Sequence, residues 1–142
     1  MTALDTAINA ALDSLSIKKY PCIITANGKI EVKDVSSVLN AIILTYSKFT
    51  TLDNGMRRVT SGFYFFSKMK NDIDVWEDIN PKMDVLATAV ENFIKKMKAS
   101  KFKITQIGEA EAEHLQTTGF ETGFSFTLTF EAFPSVFNGQ PC

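Results

Sequence analysis

The sequence predicts an α+β domain, with a mostly antiparallel sheet of about five to six strands and two helices packed on one face of that sheet. Three observations support this. Two segments repeat apolar residues at helical spacings, several others alternate apolar and polar residues as half-buried strands do, and turn residues separate neighbouring strands. The expected order is helix, hairpin, hairpin, helix, hairpin, without the regular strand–helix alternation of a parallel sheet.

Length and composition favour one domain. The chain has 142 residues, and its 45% hydrophobic content, with twelve phenylalanines, can fill a core. We take residues 1–133 as the compact α+β core and 134–142 as a C-terminal arm. The 15 basic and 16 acidic residues nearly balance, which argues against a protein whose main task is to grip nucleic acid or an anionic membrane. The start of the chain does not resemble a signal peptide, and no apolar run is long enough to span a bilayer.

The first helix is predicted over residues 3–15. Thr2 can cap it, and Asp5 falls in the first turn, where a carboxylate suits the helix dipole. The residues that share its apolar face are Leu4, Ile8, Ala11, Leu12 and Leu15.

Two hairpins are expected next. In "YPCIITANGKIEV", residues 20–32, the dipeptide Asn27–Gly28 accepts the positive φ angles of a tight turn. Residues 37–50 carry both helical and strand periodicity. We favour a strand through 42–46, because β-branched and aromatic residues dominate there. A loop at 51–58 then returns the chain into a second strand, "VTSGFYFFSKM".

The second helix is predicted over residues 81–99, with Asn80 as the cap and Pro81 at the first helical position, where its missing N–H is no loss. Lys95, Lys96 and Lys98 fall in the last turn, where positive charge suits the exposed carbonyls. The apolar stripe of this helix consists of Met83, Leu86, Val90, Phe93, Ile94 and Met97.

Two alternating strands close the domain. In "KFKITQIGEAEAEH", residues 101–114, we expect one strand with a face of Phe102, Ile104, Gly108, Ala110 and Ala112. In "FETGFSFTLTFEAF", residues 120–133, the even positions carry Phe124, Phe126, Leu128 and Phe130 and the odd positions are mostly polar. This strand is therefore expected to have one dry face, covered by the 81–99 helix, and one wet face.

Motifs of catalysis are missing from the sequence. His114 has no partner signature and is interpreted as an exposed histidine near a turn. Cys22 and Cys142 are interpreted as free thiols, although a disulfide between them is possible. The sequence contains no phosphate loop, nucleophile elbow, dinucleotide fingerprint or metal-ligand spacing, so we expect no enzymatic activity and no cofactor.

Two charge patterns and the C-terminal segment remain. The lysines of residues 95–103 are interpreted as a solvated helix end rather than a phosphate site. Glu109, Glu111 and Glu113 are expected on one strand face, ~6.6–7 Å apart. They are interpreted as a solvated face, with a specific role as the alternative. Phe133, Val136 and Phe137 are too apolar for a loose tail, so they either fold back over the core or form an arm that docks on a neighbouring subunit.

These elements together resemble the tail terminator and head-to-tail joining proteins of long-tailed bacteriophages. The resemblance lies in the length, the leading helix "TALDTAINAALDSL", the "YPCIIT" and "VTSGFYFFSKM" strands, and "MDVLATAVENFIKKM" followed by "FETGFSFTLTFEAF". It covers most of the chain and is one of element order and pattern rather than of an invariant motif.

The resemblance implies a virion structural protein without turnover. Such a protein assembles in the host cytoplasm into a ring, usually a hexamer, in the tail–neck region, contacts the tail tube and the head connector, and meets DNA only as passing cargo. Identical subunits joined head to tail need two different complementary patches. If the chain does form a ring, Glu109, Glu111 and Glu113 are candidates for lining a channel that repels DNA. The candidate subunit or partner contacts are Asp53, Asn54, Met56, Arg57, Arg58, Phe133, Val136 and Phe137.

Other functions stay open at this point. One is another neck, connector or tail-tube ring protein of the same particle. A second is a small ligand-binding or enzymatic α+β domain. A third is a bacterial interaction adaptor that dimerises through a sheet edge.

Overall fold

The computed structural model describes residues 2–20, 23–24, 30–31, 39–68, 75–116 and 120–138. Three helices lie in these ranges: α1 (Ala3–Ser14), α2 (Val75–Lys98) and the short α3 (Pro134–Phe137). The strands are β1 (Lys18–Tyr20), β2 (Ile23–Ile24), β3 (Ile30–Glu31), β4 (Asn40–Thr51), β5 (Arg57–Lys68), β6 (Lys103–Ile107), β7 (Glu111–Gln116) and β8 (Phe120–Ala132).

Six of the strands form one sheet in the order β1–β4–β5–β8–β6, and β7 also pairs with β8. The β1–β4 pair is parallel, whereas β4–β5, β5–β8, β6–β8 and β7–β8 are antiparallel. The short strands β2 and β3 pair with each other, as the predicted first hairpin requires. The α+β class and the mostly antiparallel sheet are therefore confirmed.

The core lies between one face of the sheet and the two long helices. Register places Val59, Phe63 and Phe65 of β5 on the same face as Phe126 and Phe130 of β8. The apolar residues of α1 and α2 pack into the same cluster, so both helices cover this face. The members of α1 in the cluster are Leu4, Ile8, Ala11 and Leu12, and those of α2 are Leu86, Ala89, Val90, Phe93 and Met97.

An aromatic group occupies the centre of this layer. The ring centroid of Phe93 on α2 lies 5.1 Å from that of Phe63 and 5.2 Å from that of Phe65. Phe126 of β8 stacks on Phe63, also at 5.1 Å. Aromatic pairs at these separations add stabilisation beyond the area they bury. The prediction that the helix around Phe93 covers the last strand is confirmed.

The start of α1 follows the sequence prediction. The hydroxyl oxygen of Thr2 accepts a hydrogen bond from the backbone N–H of Asp5 at 3.1 Å, and the Asp5 carboxylate accepts one from the backbone N–H of Thr2 at 3.2 Å. The two bonds form a capping box that satisfies two donors at the helix end.

The predicted start of the second helix is wrong. Helix α2 begins at Val75, so Asn80 is not its cap and Pro81 lies inside it, beyond the first turn. The apolar spacing of four residues continues backwards in the sequence from Met83 to Ile79 and Val75, which explains why the helix extends past the proline. Pro81 removes one helical hydrogen bond and is a poor helix residue there.

The single strand predicted over residues 101–114 is divided into β6 and β7. Its register against β8 shifts between Ile104 and Gln106, and it shifts again between Ile107 and Glu111. Between the two strands Gly108 donates its N–H to the carbonyl of Thr127 at 2.8 Å, and a Cβ at this position would collide with the Thr127 hydroxyl. The second shift restores the alternation that the first one changes, so Ala112 pairs with Phe124 on the same face of the sheet as Ile104. Ala110 and Ala112 are nevertheless exposed, so the predicted buried face does not extend into β7.

The last strand keeps its predicted dry face, with Phe126, Leu128 and Phe130 buried and Phe124 half-buried. The opposite face is less wet than predicted. Thr129 is buried there, and its hydroxyl hydrogen-bonds that of Thr60 at 3.2 Å. Because β8 has strands on both sides, neighbouring side chains cover small residues that alternation alone would expose.

The C-terminal segment folds back over the core as far as residue 138. In α3, Val136 and Phe137 are buried and belong to the main apolar cluster. A boundary at 133 is therefore not seen in the described residues, because 134–137 pack as part of the core. Residues 139–142 lie outside the described residues.

Candidate functional site

The second half of β4 is the most unusual surface in the described part of the chain. Residues 44–51 are exposed, apart from the half-buried Thr45. Three of them are large apolar residues: Leu44 is 49% exposed, Tyr46 36% and Phe49 62%. Single exposed apolar side chains are common, but three within six residues of one strand indicate a surface suited to contact with another protein.

The turn between β4 and β5 presents part of the predicted contact set. The loop runs from Leu52 to Met56, shorter than the predicted 51–58, because residues 51, 57 and 58 belong to the strands. Gly55 has a φ of +85°, which a residue with a Cβ rarely adopts. The carboxamide oxygen of Asn54 accepts the N–H of Met56 at 3.0 Å. Asp53 and Asn54 are exposed, so this turn presents both to solvent.

The two arginines that follow are held within the subunit. Arg57 donates to the Tyr46 hydroxyl at 3.5 Å and places its guanidinium carbon 5.7 Å from the centre of the Phe137 ring. Arg58 forms an ion pair with Glu131 at 3.2 Å. Because the Arg58 side chain is about half exposed, the pair contributes at most about 1 kcal/mol and leaves the arginine accessible.

The candidate contacts at the C terminus separate into two kinds. Phe133 is 55% exposed and can contact a partner. Val136 and Phe137 are buried, and the Phe137 ring lies 5.1 Å from that of Phe102. These two residues therefore contribute to the subunit's own core and present no surface to a neighbour.

The three glutamates do not lie along one strand as predicted. Glu109 belongs to the connection between β6 and β7, whereas Glu111 begins β7. Register places positions 111 and 113 opposite Ser125 and Gly123, on the face of the sheet away from the helices. Glu109 and Glu111 are exposed, and the side chain of Glu113 lies outside the described part of the structure. The connection displaces Glu109 because the chain is bulged at Gly108.

Both edges of the large sheet are open over much of their length in the described residues. On one side, β1 pairs with β4 only from Asn40 to Ile42, so no described strand covers β4 beyond that point. On the other side, β6 and β7 pair with β8, and no described strand lies outside them. An open edge presents unpaired backbone N–H and C=O groups that can pair with another chain.

The two edges differ in charge. Strands β1 and β4 carry three lysines, Lys18, Lys19 and Lys48, and no acidic residue. Strands β6 and β7 with the connection between them carry Glu109, Glu111, Glu113 and one lysine, Lys103. One edge is therefore basic and the other is net acidic.

Apart from these edges, an apolar groove of about 620 Å³ lies near the start of β4. Its lining residues include Leu15, Leu39, Pro81 and Val85. A cavity of this size can accept a small apolar group. Nothing in its lining favours one ligand over another.

Several sequence interpretations fall on residues that the structure describes incompletely or not at all. His114 lies in β7, paired with Thr122, but its side chain is outside the description. Cys22, Cys142 and the Asn27–Gly28 turn lie outside the described residues. In the described ranges no group of three potential metal ligands comes together. None of the described helices combines the length and hydrophobicity needed to cross a membrane.

The chain matches no known family model, and no curated protein sequence is significantly similar to it.

Sequence analysis missed the open half of β4. It named the turn residues that follow Thr51 but not Leu44, Tyr46 or Phe49. The available signal was the mixture of apolar residues with threonine, serine and lysine after Leu44, which breaks strict alternation. Which of these residues faces solvent depends on how far the helices extend over the sheet, and local sequence does not give that information.

Proposed function

We propose that this chain is a non-enzymatic structural subunit of a long-tailed bacteriophage virion. In this proposal it forms a homo-oligomeric ring at the end of the tail, as a tail terminator or head-to-tail joining protein, and the ring is a hexamer, the usual form in the family that the sequence resembles. It assembles in the host cytoplasm and contacts the tail tube and the head connector through its surfaces. The observation that carries the proposal is the open half of β4, with Leu44, Tyr46 and Phe49 exposed.

Burial of those side chains gives the energetic reason for assembly. Covering a large apolar side chain stabilises a complex by about 1.5–3 kcal/mol before the costs of association. The subunit's own core is already filled by Phe63, Phe93 and Phe126. The exposed apolar residues of β4 do not belong to that core and are available for contacts with other chains.

Different surfaces are available for different neighbours, as a terminating ring requires. The exposed Asp53 and Asn54 lie at the turn that ends the β4–β5 hairpin, and Phe133 follows the end of β8 at the same end of the sheet. The edges of the sheet run along its outer strands, whereas the turn and Phe133 lie at the strand ends. In the proposed ring, edges join identical subunits and the turn contacts a tail or head partner.

Size-exclusion chromatography with light scattering, followed by negative-stain electron microscopy, tests the ring. We expect a closed ring of defined mass at micromolar concentrations of the full chain. A monomer at all accessible concentrations, also in the presence of tail tubes from the same particle, would refute the proposal. A dimer without rings would instead favour an interaction adaptor. Portal, capsid and tail-tube genes beside the gene of this chain are expected.

A further inference from the structure

We propose that copies of this chain join edge to edge, with the basic β1–β4 edge of one copy pairing antiparallel with the acidic β6–β7 edge of the next. The inference rests on the proposed ring and deepens it, because it names the two surfaces that make the subunit contact. The partner is a second copy of this chain.

Strand directions permit this junction. Strands β1, β4 and β8 run in one direction, and β5, β6 and β7 run in the opposite direction. A rotation about an axis alongside the strands preserves these directions when it carries one copy to the next. The β1–β4 edge therefore meets the β6–β7 edge of its neighbour antiparallel, and the sheet continues from subunit to subunit with the more stable of the two pairing modes.

The two edges carry complementary charges on the face of the sheet away from the helices. A row of paired residues crosses the sheet from Lys19 through Ala41, Phe65 and Phe124 to Ala112. This row lies on the helix-facing side of the sheet, so Lys19 and Glu111, the neighbour of Ala112, lie on opposite faces. Lys48 pairs with Thr60, which pairs with Thr129, and Glu111 pairs with Ser125, so Lys48 and Glu111 lie at opposite edges on the same face, away from the helices. Complementary charges of this kind favour the correct partner and register over alternatives.

Apolar exposure matches as well. Phe49 of β4 is 62% exposed, and Ile107 of β6 is 46% exposed. Lys48 precedes Phe49 in the sequence, and Gln106 precedes Ile107. One row of paired residues crosses the sheet from Lys48 through Thr60 and Thr129 to Gln106. Both apolar residues therefore lie at the same end of the sheet, one at each edge. Edge pairing would bury both.

A symmetric contact between two β4 strands is disfavoured. Antiparallel pairing of residues 44–51 with their own copies would place the two Lys48 side chains near each other at the centre of the contact, with no acidic residue on the strand to compensate. The contact between unlike edges avoids this repulsion. It also has the head-to-tail form that closes into rings rather than stopping at dimers.

Charge reversal of each edge tests the contact. One variant is Lys19→Glu with Lys48→Glu, which makes both edges acidic, and the other is Glu109→Lys with Glu111→Lys, which makes both edges basic. We expect each variant alone to self-associate about tenfold or more weakly than the natural chain, as measured by light scattering over a concentration series. An equimolar mixture of the two should recover the oligomer, because every junction then joins an acidic edge to a basic one.

Matched controls change the net charge by the same amount away from the edges. Lys95→Glu with Lys96→Glu alters the exposed face of α2, and Asp13→Lys with Glu91→Lys alters exposed positions on the two helices. Both controls should assemble like the natural chain, and circular dichroism checks that every variant is folded.

The outcomes separate the two proposals. Rings that are unaffected by either edge variant would overturn edge pairing and leave the proposed function standing. Weakening without recovery in the mixture would also overturn it. A natural chain that never associates would overturn both proposals.

Discussion

At the scale of single residues, Asp5 links the first helix to the sheet. Its carboxylate accepts hydrogen bonds from the Thr2 hydroxyl at 2.8 Å and from the Thr45 hydroxyl of β4. Burial raises the pKa of Asp5, but the hydrogen bonds from Thr45 and Thr2 and the positive charge of Lys19 outweigh it, so the pKa lies below its ordinary value. The sequence predicted the cap but not the link to Thr45, which lies 40 residues away.

The lowered pKa of Asp5 predicts part of the acid sensitivity. A carboxylate whose pKa is lower in the folded state stabilises the fold above its unfolded pKa of about 3.9, and that stabilisation is lost as the pH falls through the lower folded value. Asp5→Asn should therefore reduce the difference in free energy of unfolding between neutral pH and pH 3, measured by urea denaturation. Asp13→Asn, at an exposed position of the same helix, is the control. Equal effects of the two substitutions would contradict the assignment.

Gly123 of β8 is a second residue whose role comes from packing. A Cβ at this position would collide with the carbonyl of Phe65 and lie 2.8 Å from Cα of Phe66. We expect Gly123→Ala to lower the free energy of unfolding by about 2–3 kcal/mol, because the backbone of β5 must shift to make room. Thermal and chemical denaturation measure the loss.

Gly62 provides the matched control for Gly123. It lies on the same face of the neighbouring strand, and a Cβ there would meet nothing within 4 Å. Gly62→Ala should change stability by no more than about 0.5 kcal/mol in either direction. If both substitutions were equally tolerated, that result would contradict the close contact between β5 and β8 at Gly123.

At the scale of elements, the sequence predicted what local patterns determine. The cap at Thr2, the strand through 42–46 and the dry face of β8 all follow from spacing and residue type, and all are confirmed. The start of α2 and the division between β6 and β7 were not predicted. The start of α2 depends on whether the stabilisation from its apolar residues outweighs the cost of Pro81 inside the helix. The division between β6 and β7 depends on the close approach of Gly108 to Thr127 on the neighbouring strand.

Substitution of Pro81 tests whether α2 begins at Val75. With a helix that begins at Val75, the proline lies in the interior, so Pro81→Ala should raise the free energy of unfolding by about 1–3 kcal/mol. With a helix that began at Pro81, the same change would remove a favourable first residue and give no gain. Asn92→Ala, at an exposed interior position of α2, is the control and should add less than about 0.7 kcal/mol. Urea denaturation distinguishes the two cases.

At the scale of the whole molecule, topology decides which surfaces are left for partners. The parallel pair β1–β4 leaves β4 open beyond Ile42 among the described strands, and the bulged β6–β7 forms the opposite edge. Neither edge was predicted, because strand order depends on contacts between residues far apart in the sequence. Of the candidate contacts, the sequence named Asp53, Asn54 and Phe133, which are exposed, but also Val136 and Phe137, which are buried.

Phe49 tests whether the open edge of β4 serves association rather than folding. Its side chain is 62% exposed and contributes little to the subunit's core, so Phe49→Thr, which keeps a β-branched residue in the strand, should change the stability of the dissociated subunit by no more than about 0.5 kcal/mol. If Phe49 is buried between subunits, the same change should weaken self-association about tenfold or more, measured by light scattering over a dilution series. Val85→Thr removes a similarly exposed apolar side chain, 55% exposed on α2, and should leave association unchanged. Equal weakening by both substitutions would indicate nonspecific apolar association, and no weakening by Phe49→Thr would exclude this part of β4 from the contact.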